Sequence, residues 1–358
     1  MGPLKGVRIV EFDAIGPVPL CATLLADMGA DIVRIARAGG QAAYEDVGEA
    51  ILHRSRTAIE LNLKSEADRE TALSLIAKAD ILIEGFRPGV MERLGLGPEA
   101  CFERAPALIY GRMTGWGQHG TLARRAGHDI NYIAISGALG AMGESGRLPM
   151  PPLNLVGDYG GGAMFLAVGI LAGLVEARAS GKGQVVDTAM TDGVPLLLSL
   201  FHALRQNGGW REERESNLLD GGAPFYRCYE CADGKYVAVG ALEPQFFHQL
   251  LIGLDLDPSG FNQNGREGWQ AMQSVFAERF RERSRDEWAS HFLDTDACVS
   301  PVLMLAESVG HPHNLSRDTY VKHAGMVHPA PAPRFSRTAS AIGDATISTA
   351  PDILKRWQ

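Results

Sequence analysis

Six short runs of aliphatic and β-branched residues, alternating with helical segments, constrain this chain more than any other feature. Residues 7–12 alternate like a strand and lead to Gly16-Pro17, where the proline suits the first turn of a helix running to Met28. Gly29 closes that helix, and residues 31–35 make the next strand. After Arg37 come Gly39-Gly40 and a loop, then a third strand over residues 57–61. Ser65-x-x-Asp68 resembles a capping box for a helix through Lys78. Residues 81–84, 108–112 and 184–188 supply three more strands. Strands and helices alternating at these spacings imply a Rossmann-like α/β domain with a parallel, doubly wound sheet, whose ligands sit beyond the carboxyl ends of the strands.

That sheet lacks the usual dinucleotide signature. Asp13-Ala-Ile-Gly16-Pro17 follows the first strand without G-x-G-x-x-G, and there is no Walker loop, so redox chemistry on a nicotinamide is not expected. The strand ends carry cations instead. Arg37 lies just past the second strand, Lys64 past the third and Arg87 past the fourth, with Arg93 one short helix later. Any one of them alone reads as solvated surface charge. Four at equivalent places suggest one crevice for a phosphate-bearing ligand. The net charge of -8 argues against general nucleic-acid affinity but leaves room for such a local pocket.

At 358 residues the chain exceeds the size at which one core usually stops growing, and its texture changes partway along. Residues 1–188, completed by 331–358, form the expected large domain; residues 189–225 read as a linker, with a helix in the early part. Residues 226–312 form a smaller α+β domain, and residues 313–330 a return linker. The small domain opens on an Asp233-Gly234 turn between two apolar runs, a hairpin signal. Glu243-Pro244 then starts a helix, and residues 269–283 and 285–293 make two more amphipathic segments. Residues 312–333 look like a proline-dotted loop, with His311-Pro-His313 too isolated for a metal pair. Residues 351–357 make a last short helix.

The five cysteines are odd in number and scattered, which fits reduced thiols; Cys228-x-x-Cys231 has no second pair to complete a zinc site. The chain begins almost directly with its first strand, and its longest apolar run, residues 163–175, is shorter than the roughly 20 residues of a spanning helix. A cytoplasmic protein with no membrane or nucleic-acid partner is expected.

Two glycine-bordered runs in the helix-rich middle bring acid/base groups. Gly127-His-Asp-Ile-Asn-Tyr132 places His128 at the start of a helix expected over 128–142. Asn154-Leu-Val-Gly-Asp158 places Asp158 before three glycines and an apolar helix over 159–178. A histidine and a carboxylate near helix N-terminal amides suit proton transfer beside a developing negative charge. Each residue also has a plainer reading: His128 as structural, Asp158 as an N-cap, Glu243 as a first-turn acid.

The chain resembles the alpha-methylacyl-CoA racemases of the family III CoA-transferase superfamily over nearly its whole length. The segments that carry the resemblance are Gly6-Val-Arg-Ile-Val-Glu11, Ile83-Glu-Gly-Phe-Arg-Pro-Gly-Val90 and Arg112-Met-Thr-Gly-Trp-Gly-Gln118. They continue with Ala126-Gly-His-Asp-Ile-Asn-Tyr132, Pro152-Leu-Asn-Leu-Val-Gly-Asp158, Asp220-Gly-Gly-Ala-Pro224 and Glu243-Pro-Gln-Phe246. The resemblance implies racemisation of 2-methylacyl-CoA thioesters, with His128 and Asp158 as the acid/base pair and Glu243 supporting them through His128. Asp129 would orient His128, cap the helix, or both. CoA contacts are implied at Arg37, at Leu61, Asn62, Leu63 and Lys64, at Gly85, Phe86 and Arg87, and at Arg93. Further contacts are implied at Gly127, Ile130, Asn131 and Tyr132, with Tyr132 and Asn154 lining the acyl pocket. The resemblance also implies an interlocked homodimer with a shared active site and no metal or redox cofactor. Two other functions stay open on the residues alone: a CoA-transferase using the Asp158 carboxylate as nucleophile, and a catalytically idle CoA-binding protein.

Overall fold

The computed structural model describes residues 2–37 and 49–358, so the Gly39-Gly40 loop lies outside the described residues. The chain divides into two compact units. The first comprises Met1–Ala138, Pro152–Leu198 and Arg317–Gln358; the second comprises Leu139–Pro151 and Ser199–Ser316.

The first unit is built on a seven-stranded sheet. Its strands are β1 Arg8–Phe12, β2 Asp31–Arg37, β3 Thr57–Leu61, β4 Ile81–Glu84, β5 Ile109–Thr114 and β6 Gln184–Ala189, together with a late strand, Thr346–Ile347. The order runs Thr346–Ile347, β3, β2, β1, β4, β5, β6, and every pairing is parallel. The direction of strand addition reverses at β1 and β4, which places a crevice at their carboxyl ends. Alternation across the pleat sorts the strand residues into two cores. Ile9, Ile32, Ile81, Ile83 and Ile109 meet helices Pro17–Asp27 and Phe165–Ser180 on one face. Val10, Phe12, Val33, Leu82 and Tyr110 meet helix Glu66–Ile76 and the C-terminal Trp357 on the other. The strand at 346–347 was not expected from so short a run. It forms because Thr346 and Ser348 N–H groups donate to Arg56 and Ala58 carbonyls on the open β3 edge.

Several local expectations are corrected. Ser65 does precede helix Glu66–Ile76, but Asp68 Oδ2 accepts from the Asn62 N–H at 2.7 Å instead of completing a capping box. The acid thereby shapes the Leu61–Lys64 turn. The helix expected over 128–142 spans only Asp129–Ile135, because Gly137 takes φ +89° and ends it; Leu139–Ala141 adds one 3-10 turn. The apolar helix begins earlier than expected, as a π-helical segment, Leu155–Met164, continuous with Phe165–Ser180. The combined 26 residues are long and apolar enough to cross a membrane by length and composition, and half of an 18-residue apolar stretch within them is buried inside the protein. Residues 312–333 are not simply loop: they hold helix Pro312–Ser316 and a hairpin, Tyr320–His323 with Met326–Pro329. The hairpin turns at Ala324-Gly325, both with positive φ.

In the second unit, Tyr226–Glu230, Tyr236–Gly240 and Val299–Pro301 form an antiparallel sheet. Helices Pro244–Gly253, Trp269–Phe280 and Arg285–Phe292 close over it around Phe247, Phe276, Phe280 and Trp288. The stretch 189–225, expected as a linker with a helix in its early part, contains two helices, Met190–Leu197 at the end of a first-unit segment and Ser199–Gln206 in the second unit. The segment 139–151 also belongs to this unit. Arg214 holds it by donating to the carbonyls of Gly140, Glu144 and Arg147. All five cysteines are free thiols, and no His, Cys, Asp or Glu cluster fit for a metal is found among the described residues.

Candidate active site

A cavity of about 1250 Å³ opens beyond the carboxyl ends of β1 to β5 in the first unit. Each strand delivers part of the wall, as a doubly wound sheet requires. Asp13 to Pro19 follow β1, Arg37 ends β2, Leu61 to Lys64 follow β3, Gly85 to Pro88 follow β4, and Gly115-Trp116 follow β5. The loops after β1 and β4 press together at the reversal point. A Cβ on Gly85 would stand 3.1 Å from both Ala14 Cβ and Val18 Cγ2, so a larger residue would have to push these neighbours aside.

His128 and Asp158 line this same cavity. His128 is the exposed N-cap of helix Asp129–Ile135, and its backbone N–H donates to Asn131 Oδ1 at 3.0 Å. Four residues on, Tyr132 shares the cavity-facing side of the helix and donates its hydroxyl proton to the Gly127 carbonyl. The Tyr132 ring lies edge-on to Trp116 at 4.7 Å, and a side chain at Gly115 would collide with it. Gly127 leaves room for the same two rings.

Asp158 sits in the first turn of the π-helical segment, half-buried, with Asn154 Nδ2 donating to its Oδ2 at 3.1 Å. Burial pushes its carboxyl above the ordinary value, with the nearby Asp129 charge adding to the rise; the Asn154 hydrogen bond and the His128 charge oppose it. Gly16, at φ +72°, lets the β1 loop approach: a Cβ there would lie 3.0 Å from Asp158 Oδ2.

Asp129 is buried and turned away from the cavity. Its Oδ2 accepts from the Asp158 backbone N–H at 2.7 Å, tying the two acid/base elements together, while Oδ1 is buried without a partner. A side chain at Gly157 would collide with this carboxylate. The link joins residues 29 apart in sequence, so the readings of Asp129 as a cap or as an orienter of His128 could not anticipate it.

Of the implied CoA contacts, Arg37, Leu61, Asn62, Leu63, Lys64, Gly85, Phe86, Arg87, Gly127 and Tyr132 line the cavity. Arg93, Ile130 and Asn131 do not. Arg93 Nη1 packs beneath the β4 loop, 3.3 Å from where a Gly89 Cβ would stand. Ile130, two residues on from His128, falls on the other side of the helix from His128 and Tyr132, and the Asn131 side chain is occupied as a cap on the His128 N–H. Glu243 is an exposed N-cap of helix Pro244–Gly253 in the second unit, outside this cavity's wall.

Sequence reasoning missed two basic wall residues. Arg125 precedes the glycine-bordered run and does not stand at a strand end, where the cations were sought. His53 follows helix Glu49–Leu52, and burial together with the charges of Arg34 and Arg56 pushes it down to about 3, so it is neutral. No periodic signal marks either. Asp13, also on the wall, is paired with Arg34 at 2.8 Å, which leaves the strand-end cations as the dominant charge.

Comparisons with known proteins identify the family of the chain. Residues 4–353 match CoA-transferase family III. The chain is 43% identical over 337 residues to alpha-methylacyl-CoA racemase of Mus musculus, spanning 94% of this chain and 87% of that protein. It is 42% identical to alpha-methylacyl-CoA racemase of Homo sapiens over the same shares. The crystal structure of a CAIB/BAIF family protein from Brucella suis superposes with a TM-score of 0.86 at 22% identity, covering 100% of both chains.

Proposed function

The chain belongs to CoA-transferase family III, and we propose that it interconverts (R)- and (S)-2-methylacyl-CoA thioesters by moving one proton through a planar enolate. The observation that carries this reading is the presence of His128 and Asp158 on the wall of one cavity that also holds the strand-end cations. A transferase needs one nucleophilic carboxylate; a racemase needs two proton-transfer groups, one for each face of the enolate.

One enantiomer presents its α-proton to His128 and the other to Asp158, and the group that is not the base returns a proton to the opposite face. Asp158, with its carboxyl raised by burial, is a stronger base when ionised than an exposed aspartate and a competent acid when protonated. Backbone N–H groups at the start of helix Asp129–Ile135 are the donors proposed for the enolate oxygen, each contributing on the order of 3 kcal/mol to the barrier. Arg37, Lys64 and Arg87 hold the phosphates of CoA, so binding energy remote from the reacting carbon positions it. The reaction as proposed uses no metal or redox cofactor; CoA enters as part of the substrate.

Glu243 joins the site in this reading through an interlocked homodimer, supplied by the second unit of the partner. The apolar exposure of Leu155, Val168, Val175 and Leu196 supports a second copy covering these faces. Light scattering across a concentration series tests the dimer, and a monomer at all concentrations refutes it.

The test of function is α-proton exchange. A single enantiomer of a 2-methylacyl-CoA, incubated in deuterium oxide with no carboxylate acceptor, should lose its α-proton and its optical purity. His128→Ala should stop both. Retention of proton and configuration by the wild-type protein, with acyl transfer when an acceptor is added, would establish the transferase reading instead.

A further inference from the structure

Glu84 is the last residue of β4, fully buried, and has no direct part in the chemistry proposed above. Its carboxylate nevertheless organises the wall beside it. Oε2 accepts from the Phe86 N–H at 2.7 Å, and Oε1 accepts from Arg112 Nε at 2.8 Å. Arg112, near the end of β5, uses its other nitrogens on Glu92 at 2.8 and 3.3 Å. Glu92 lies on the short helix Val90–Arg93 that follows the loop. The network therefore ties the Phe86 N–H of the Gly85–Phe86–Arg87 turn to the end of β4, to β5 and to the helix that follows. That turn lines the cavity, and the Arg87 charge is felt at the Tyr132 hydroxyl on the catalytic helix.

We propose that Glu84 is a positioning residue for the ligand: its ionised carboxylate, braced by Arg112 and Glu92, holds the turn in the shape that meets the phosphate-bearing part of acyl-CoA. The inference rests on the CoA-ester reading of the cavity. Both carboxylate oxygens face N–H donors, so a protonated Glu84 must turn an O–H toward one of them and release that end of the turn.

The surroundings make this protonation accessible near neutral pH. Burial pushes Glu84 up to about 7, against the opposing pull of the Phe86 N–H and Arg112, while the Glu92 charge adds to the rise. On β5, Arg112 stays charged between its two carboxylates, and Tyr110, pushed far up by burial, stays neutral. Glu92 is held below the ordinary carboxylate range by Arg112, so it does not titrate in this window. Affinity for CoA should accordingly fall as pH drops through 7, by up to roughly tenfold per pH unit for a single proton.

Calorimetric titration of the full-length protein with 3′-dephospho-CoA, which lacks a phosphate monoester of its own to titrate, tests the proposal between pH 6 and 8.5. Wild-type protein should bind more weakly at low pH. Glu84→Gln should bind roughly tenfold more weakly at pH 8 and lose the pH dependence, with the defect in exchange kinetics falling on KM rather than kcat. Glu92→Gln, which touches the half-exposed end of the clamp, should weaken binding a few-fold and keep the slope. A folded Glu84→Gln with wild-type affinity and slope overturns the proposal. If that variant does not fold, a wild-type affinity that is flat from pH 6 to 8.5 overturns it. Wild-type protein that binds neither CoA nor dephospho-CoA refutes the functional reading beneath it, which separates the two failures.

Discussion

Asp129 offers the sharpest test of how the proposed acid/base pair is held. Its Oδ2 accepts the Asp158 N–H at 2.7 Å in a buried setting, and the other oxygen has no partner. Replacing Asp129 with Ala removes a charge-assisted hydrogen bond worth about 2 kcal/mol and leaves a buried N–H unpaired. If the whole of that energy holds Asp158 in its reactive position, the rate should fall about 30-fold, since 1.36 kcal/mol corresponds to a factor of ten. Asp129→Asn separates geometry from charge. Its side-chain carbonyl can still accept the N–H, so the position is kept while the negative charge is lost. The Asp129 charge raises the Asp158 carboxyl, so its removal should make Asp158 more acidic. The limb of the pH–rate profile on which Asp158 must ionise should then move to lower pH. Exchange of the α-proton, followed by proton NMR in deuterium oxide from pH 4 to 9, reads both effects. Wild-type exchange by Asp129→Ala, or a limb that moves to higher pH in Asp129→Asn, would refute the reasoning.

Asn154→Ala should act in the opposite direction: its amide lowers the Asp158 carboxyl, so removing it should shift the same limb to higher pH. Gly16→Ala puts a Cβ 3.0 Å from Asp158 Oδ2 at a φ of +72° and a ψ of −117°, a conformation that suits glycine, and a strain of about 1–3 kcal/mol passed to Asp158 should cost about tenfold or more in kcat while circular dichroism stays native. Replacing Lys64 and Arg87 together with Ala should raise KM for acyl-CoA at low salt far more than it lowers kcat, and wild-type KM should rise with ionic strength. Glu84 also affects stability. Its folded value of about 7 lies above the ordinary 4.5, so the folded protein holds this proton more tightly than the unfolded chain. The contribution is therefore present at acid pH and is lost as pH rises through that window, by about 3 kcal/mol. The difference between wild-type and Glu84→Gln urea midpoints should shift in favour of Gln as pH rises from 4.5 to 7.

Much of the site was legible because its parts are local. A strand, its following loop and a basic residue at the strand end form one contiguous signal, and the parallel sheet carries Arg37, Lys64 and Arg87 to the same edge. Arg93 breaks the rule because one turn of helix separates it from the strand end and turns it beneath the loop. Ile130 shares a motif with His128 but not a helix face, and the Asn131 side chain is spent capping the His128 N–H. His53 and Arg125 carried no local pattern, since their place on the wall depends on neighbours far away in sequence.

The amino-acid sequence by itself determined the strand–helix alternation, the class of sheet and the residue types able to move a proton, because hydrophobic periodicity, glycine and proline act over a few residues. Only the tertiary structure decided where Asp129 points, that residues 139–151 join the second unit through Arg214, and that Thr346–Ile347 finishes the sheet. It also decided the electrostatics. Nothing in the sequence sets the acidity of Asp158 or Glu84, which shifts because packing removes water and brings particular donors and charges within reach.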